Sequence, residues 1–269
     1  MIVTDAEFDS RRASACLNDW LDGRSDETSK LTSVVGSLPS IALDVFMTVN
    51  SEGARVSNGV DRLDQALILL GSSGLRELLR NPPQNNPIRK YGDETFNRNS
   101  LLVARAAALV ARAARIPLEE EVFAAGLFLD IGTLILRHRF PIRYEEAERQ
   151  AQDAAHCSVE YERLLLGTDH AEESESFLRQ VGLPPGLTDS VLFHHNPLNA
   201  NRKSRFRALL LHLGDFVANP RRSRWLQSSA AVRLRVQILT HLRLDVATLN
   251  ELSLVLKSEL SPAPAMDDE

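Results

Sequence analysis

The chain has 269 residues, 43% of them hydrophobic and 25% charged, which is material for one large domain or two small ones with a sizeable core. A formal net charge of −5 argues against a general nucleic-acid binder, which carries a basic surplus or patch. Cys16 and Cys157 stand far apart with no CxxC, so neither a disulfide scaffold nor a zinc knuckle is indicated, and a reducing cytosol fits. The start "MIVTDAEFDSRR" has neither a basic n-region nor an apolar h-region, and no run of about 18 apolar residues occurs. A cytoplasmic protein without a signal peptide or membrane span is expected.

The pattern is helical almost throughout, rich in Ala, Leu, Arg and Glu and free of hairpin-bounded alternation. Residues 5–22 and 26–35 read as the first two helices, the second with Asp26 and Glu27 in its first turn, where the helix dipole favours acids. Ser37 and Pro39 open a third helix, "LPSIALDVFMTVN", and "SEGARVSNG" is a loop. Helices follow at 61–70 and 73–80, punctuated by Gly71 and Gly74. "NPPQNNPIRKYGDE", residues 81–94, is the best internal boundary, dividing an N-terminal helical subdomain at 1–80 from a bundle at 95–260. A long helix spans 96–115. Pro117 and Glu119 to Glu121 open the next, which carries "FAAGLFLDIGTLILRH" as one apolar helix interrupted by Asp130. Further helices are predicted at 141–155, 157–166, 169–181, 185–194, 204–218, 229–241 and 245–260, with Gly182, Pro184 and Pro185 a stop and restart. The tail "SPAPAMDDE", 261–269, is expected to be disordered.

Five places set polar groups in apolar surroundings: Asn99, Asp130, Asp169 with His170, His194 with His195, and His212 with Asp215. A lone buried carboxylate is costly unless it is paired or ligated. His and Asp side chains converging from several helices are how all-helical folds build metal sites, and a bound divalent cation activates water for hydrolysis. Plainer roles compete at each position. Asp130 caps or pairs, Arg137 being one partner; Asp169 and Glu172 have capping-box spacing. His170 faces a cleft or solvent. His194 and His195, adjacent on a helix, point about 100° apart, so one is buried and hydrogen-bonded and the other lies near the cleft. The basic clusters Arg202, Lys203, Arg205, Arg207 and Arg221, Arg222, Arg224 read as solvated surface or as a contact for an anionic partner.

In order along the chain stand "DVFMTVNSE" (44–52), "RLDQALILLGSSGLREL" (62–78), "NSLLVARAA" (99–107), "AGLFLDIGTLIL" (125–136), "GTDHAEESESFLRQVGLP" (167–184), "VLFHHNP" (191–197) and "LHLGDFVA" (211–218). The ordered set resembles the HDOD domain of bacterial signalling proteins, a relative of the HD metal-dependent phosphohydrolases. The resemblance implies an all-α, HD-like multi-helix bundle with an N-terminal helical subdomain. It also places the metal-ligand positions of HD proteins at Asn99, Leu129–Asp130 and Asp215. Both expected histidines are missing there. Leu129 offers no lone pair, and an amide with two carboxylates does not make a tight transition-metal site.

The reading is therefore a non-catalytic bacterial signal-transduction module with no cofactor and no metal. It is expected to act through a signalling protein partner or a small-nucleotide second messenger. Asn99, Asp130, His170, His194, His195 and Asp215 are its vestigial-site or ligand-binding candidates. The alternative is a phosphohydrolase whose site is rebuilt from Asp130, His170, His194 or His195, and Asp215. Nucleic-acid binding through the basic clusters is the weakest of the three.

Overall fold

Glu94–Ala113 forms the longest helix among the described residues, α6, because Asp93 caps it by accepting a hydrogen bond from Phe96 N at 2.7 Å and its interior is Ala-rich. Small side chains let its neighbours come close. A Cβ on Gly126 would sit 2.6 Å from Ala104 Cα, and one on Gly214 2.7 Å from Ala107 Cα. The helices carrying those glycines therefore lie almost backbone to backbone against α6, one on each stretch of its alanine face.

The computed structural model describes residues 10–22, 30–51, 59–154, 158–219 and 228–260. In chain order the helices are α1 (Ser10–Leu21), α2 (Leu31–Gly36), α3 (Pro39–Val49), α4 (Leu63–Arg80), α5 (Pro87–Tyr91), α6, α7 (Glu119–Leu127), α8 (Ile131–Arg139), α9 (Pro141–Ala154), α10 (Ser158–Leu166), α11 (His170–Gln180), α12 (Pro185–Leu192), α13 (Arg205–Ala218), α14 (Ser229–Leu242) and α15 (Val246–Leu260). The fold is all-α, as expected. One contiguous core cluster runs from Ala13 to Leu256. No helix among the described residues is long and apolar enough to cross a membrane. Cys157, the basic group Arg221, Arg222 and Arg224, and the tail 261–269 lie outside the described residues.

Three local expectations are corrected. The apolar stretch 117–138 is not one helix: α7 ends at Leu127, and a turn through Phe128–Asp130 precedes α8. The break is held from outside. Ser174 Oγ donates to Leu129 O at 2.9 Å and accepts from Gly132 N at 2.8 Å, so two backbone groups freed by the break find a buried partner. Secondly, Arg137 pairs with Glu148 at 3.5 Å rather than with Asp130. Thirdly, His194 and His195 follow the end of α12 in a turn, so the helical 100° does not apply to them.

Segment 81–94 carries α5, capped by Asn86, whose Oδ1 accepts from Ile88 N at 2.9 Å and Arg89 N at 3.1 Å. Residues 63–80 bend at Gly71, where φ is +65°, a left-handed conformation glycine adopts without penalty. The two helices read on either side of Gly71 are thus joined by a kink.

Candidate functional site

Asp169 begins the site. It is the N-cap of α11, and its side chain accepts from Glu172 N at 2.9 Å. Glu172 does not return the bond to the cap backbone; it accepts from Thr168 Oγ1 at 3.1 Å, so half of the capping box forms. The cap fixes His170 as the first residue of α11, and His170 points inward, with 4% of its surface exposed. That settles the cleft-or-solvent alternative in favour of the interior.

His170 meets an acid that was not among the sequence candidates. Glu162, on the inner face of α10 and 1% exposed, accepts from His170 N at 2.8 Å, and its Oε2 lies 2.7 Å from His170 Nδ1. The sequence signal was weak, an acid three residues after Val159 on the buried stripe of a short helix. Burial works against a charged imidazole, but the Glu162 carboxylate outweighs it, with Asp130 and Asp169 adding to the field, and the His170 pKa rises to about 9. Glu162 is correspondingly held below the usual glutamate value, its burial outweighed by His170.

From the turn after α12 come two more imidazoles. His194 is 1% exposed, with Nδ1 2.7 Å from Val191 O. Burial, and then the charge of His170, push its pKa down. His195 is half-buried, and its Nε2 lies 2.7 Å from His170 Nε2. The ring centroids of His194 and His195 are 3.9 Å apart, and His170 stands 5.6 and 4.8 Å from them. One histidine is buried and hydrogen-bonded and the other borders a groove, as read from the sequence, but both rings converge instead of pointing apart. Below His194 the buried His212 has its Nδ1 2.8 Å from His194 O.

Asp130 Oδ1 faces this group, 3.8 Å from His170 Nε2 and 3.9 Å from His194 Nε2. On its other side Asp130 shares a cavity of about 30 Å³ with Asn99, Leu129, Phe96, Gly126 and Thr133. Three of the positions implied by the HD resemblance, Asn99, Leu129 and Asp130, thus line one cavity, but Leu129 is buried there with an alkyl side chain. Asp215, on α13, is near enough to His194 to favour its charged form, yet its carboxylate does not join the cluster of converging nitrogens. The donor set Asn99, Leu129, Asp130 and Asp215 does not fit a transition metal. A groove of about 530 Å³ lies on the solvent side, between α10, α11, the end of α12 and α14, with Arg163, Phe193, His195, Asn196 and Leu234 in its walls. Arg163 is engaged by Asp169 at 2.6 Å and Glu172 at 3.2 Å. Of the basic cluster at the start of α13, Arg207 pairs with Asp61 at 2.9 Å and Arg205 with the carbonyl of Ala200, while Arg202 and Lys203, in the turn before the helix, are exposed.

No curated protein matches the sequence significantly. Among solved structures the chain is similar to the MmoQ response regulator of Methylococcus capsulatus, with 23% identity, TM-score 0.63, and coverage of 91% of this chain and 96% of that one. It is similar to a virulence factor of Campylobacter jejuni at 17% identity and TM-score 0.66, covering 92% and 94%. It is similar to a proposed signal transduction protein of Marinobacter aquaeolei at 20% identity and TM-score 0.51, covering 92% of this chain and 56% of that one. These identities establish the shared fold. The family profile of the HDOD domain matches residues 17–197, from the C-terminal part of α1 through the His194–His195 turn. With the ordered motifs, the all-helical bundle and that match in agreement, the chain belongs to the HDOD domain family.

Proposed function

We infer that the chain is a non-catalytic signal-transduction module of a bacterial cytosol, working by contact with a signalling protein or by binding a small nucleotide. One observation carries this. The cavity at Asp130, where the resemblance places the catalytic metal, measures about 30 Å³ and is walled by Leu129 and Asn99. Small-molecule sites typically run to about 300–1,000 Å³. That space suits one or two waters and not a phosphoester with a metal. The names of two structural neighbours, a response regulator and a proposed signal transduction protein, agree with this reading. A ligand or partner transmits a signal here only by binding one packing of the helices better than another.

The test is a turnover screen. Purified protein is incubated with Mn²⁺, Fe²⁺ or Mg²⁺ and with bis(p-nitrophenyl) phosphate or cyclic dinucleotides. Product is expected at the level of buffer, unchanged by Asp130→Ala. Turnover that Asp130→Ala abolishes overturns the reading.

The second reading, a metal-dependent phosphohydrolase, is favoured by the approach of Asp130 to His170 and His194. It requires bound metal by elemental analysis and turnover, lost together on substitution of Asp130.

A further inference from the structure

The start of α13 breaks a rule that other helices of the chain keep. A helix N-terminus carries partial positive charge, so acids stabilise it and cations work against it. α7 opens on Glu119, Glu120 and Glu121, and α11 carries Glu172 and Glu173 in its first turn. α13 has no acid there. Arg202 and Lys203 stand in the turn leading into it and Arg205 at its first position, all three exposed. Their charges are not cancelled. Among the described residues neither Arg202 nor Lys203 has a carboxylate partner. Arg205 gives its Nε and Nη2 to the neutral carbonyl of Ala200, at 3.1 and 3.0 Å. The turn that presents them is held in place. Asn201 Oδ1 accepts from Lys203 N at 2.9 Å and Ser204 N at 3.1 Å, and Asn201 O accepts from Arg205 N at 2.9 Å. Beside the cations the Phe206 side chain is 49% exposed. Cations at a positive helix end and a wetted aromatic ring do nothing for the fold, and local rules broken without an internal gain mark sites of function.

We propose that Arg202, Lys203, Arg205 and Phe206 form the docking surface for a short acidic segment of a partner protein. Its carboxylates meet the three cations and an apolar side chain covers the Phe206 ring. The proposal rests on the contact reading above and names the partner's chemistry. Charge selects the occupant. Three cations within about one helical turn match a segment bearing a few carboxylates. A nucleic acid or an anionic membrane carries its charge far beyond one turn, over a chain whose net charge is −5, and is repelled there. Docking at this place bears on helix packing through the next residue. Arg207 pairs with Asp61, just ahead of α4, at 2.9 Å. It also lies so close over the start of α12 that a Cβ on Gly186 would strike its guanidinium. A partner that favours one setting of this arginine therefore biases how the N-terminal helices sit on α12 and α13.

The experiment is a fluorescence-anisotropy titration of the full-length protein into a labelled peptide of glutamates with a leucine at every fourth position. Saturable binding is expected, weakening as salt is raised. It should be lost when glutamine replaces every glutamate, and weakened when serine replaces every leucine. Arg202→Glu combined with Lys203→Glu is expected to weaken it about tenfold, and Phe206→Ala is expected to weaken it while the far-ultraviolet helix signal is kept. Arg143→Glu combined with Arg233→Glu makes the same change in net charge at exposed positions elsewhere and is expected to leave binding unaltered. The pair of substitutions at Arg202 and Lys203 should also raise the urea midpoint, because acids replace cations at a helix start. Lost binding is then not lost folding. Absence of saturable binding, equal losses in the two charge-reversed proteins, or a lowered urea midpoint for the pair at Arg202 and Lys203 overturns the proposal. Tighter binding of oligo(dT) or of phosphatidylserine vesicles than of the glutamate peptide overturns it as well. Phosphoester turnover in the screen above overturns the contact reading whatever the peptide does. A peptide that fails to bind removes this surface and leaves the non-catalytic reading standing.

Discussion

His212 shows how a buried residue's charge state sets behaviour in solution. Its Nδ1 donates to His194 O and its Nε2 has no hydrogen-bond partner, so the interior accepts only the neutral ring. Burial lowers its pKa to about 4, against about 6.5 in an unfolded chain. Between those values the unfolded state binds more protons, so stability rises with pH across the window. His212's contribution is complete above about pH 6.5 and is lost as the pH falls through about 4, with an upper bound of about 3 kcal/mol. His212→Asn keeps a donor toward His194 O and removes the titration. Urea midpoints measured from pH 7 to pH 4 should therefore fall less steeply in the variant. Parallel curves for the two proteins would sink the assignment. Sequence reading located His170, His194, His195 and Asp130 because each is a polar intrusion in an apolar run. Glu162 escaped it because acids are common on short helices, and only the docking of α10 on α11 turns this one inward.

At the scale of elements, the break between α7 and α8 was hidden in the sequence for a physical reason. "FAAGLFLDIGTLILRH" keeps apolar residues on every side, so its periodicity does not separate one buried helix from two. The break is decided by α11, which presses against Gly132. A Cβ there would land on the His170 carbonyl oxygen and 2.8 Å from Ser174 N. Gly132→Ala must push the helices apart or distort α11 at His170. A loss of about 3 kcal/mol is expected, at the upper end of overpacking costs. Ser174→Ala keeps the packing but strips Leu129 O and Gly132 N of their buried partner, for a loss of about 1–3 kcal/mol. Denaturant unfolding of both variants checks the order. If Ser174→Ala proves neutral, the hydroxyl is not what sustains the break. The kink at Gly71 and the stop at Gly182 were legible because positive φ selects glycine so strongly; Gly71 and Gly182 have φ of +65° and +88°.

Across the whole molecule, segment 81–94 reads from composition as the boundary between two parts, and its side chains form a strap between the N-terminal helices and the site. Asn86 Nδ2 donates to Ser40 O at 2.8 Å and to Asp44 Oδ1 at 2.7 Å, and Arg89 pairs with the other oxygen of Asp44. Two residues on, Tyr91 stacks on His138 of α8 with ring centroids 4.1 Å apart. The contacts run from α3 through α5 to the helix that follows Asp130. Asp44 is the sensitive member, being 1% exposed, and burial lifts its pKa above the ordinary value in spite of Arg89 and Asn86. A carboxyl whose folded pKa is raised contributes most at low pH, and that contribution drains away as the pH rises through the folded value. Arg89→Ala removes the cation that limits this loss. The variant should be destabilised by about 2 kcal/mol at pH 7, less than the full cost of breaking a buried pair because Arg89 is itself partly exposed. As the pH is lowered and Asp44 takes up its proton, the need for a counter-charge falls and the deficit should shrink. Hydrogen exchange at pH 7 should show protection falling in α8 as well as α3, because the strap joins them. A deficit independent of pH would place the effect in packing of the Arg89 stem. Loss of protection confined to α3 would mean that the N-terminal helices and the bundle are stabilised independently, leaving the strap without a role in passing a signal between them.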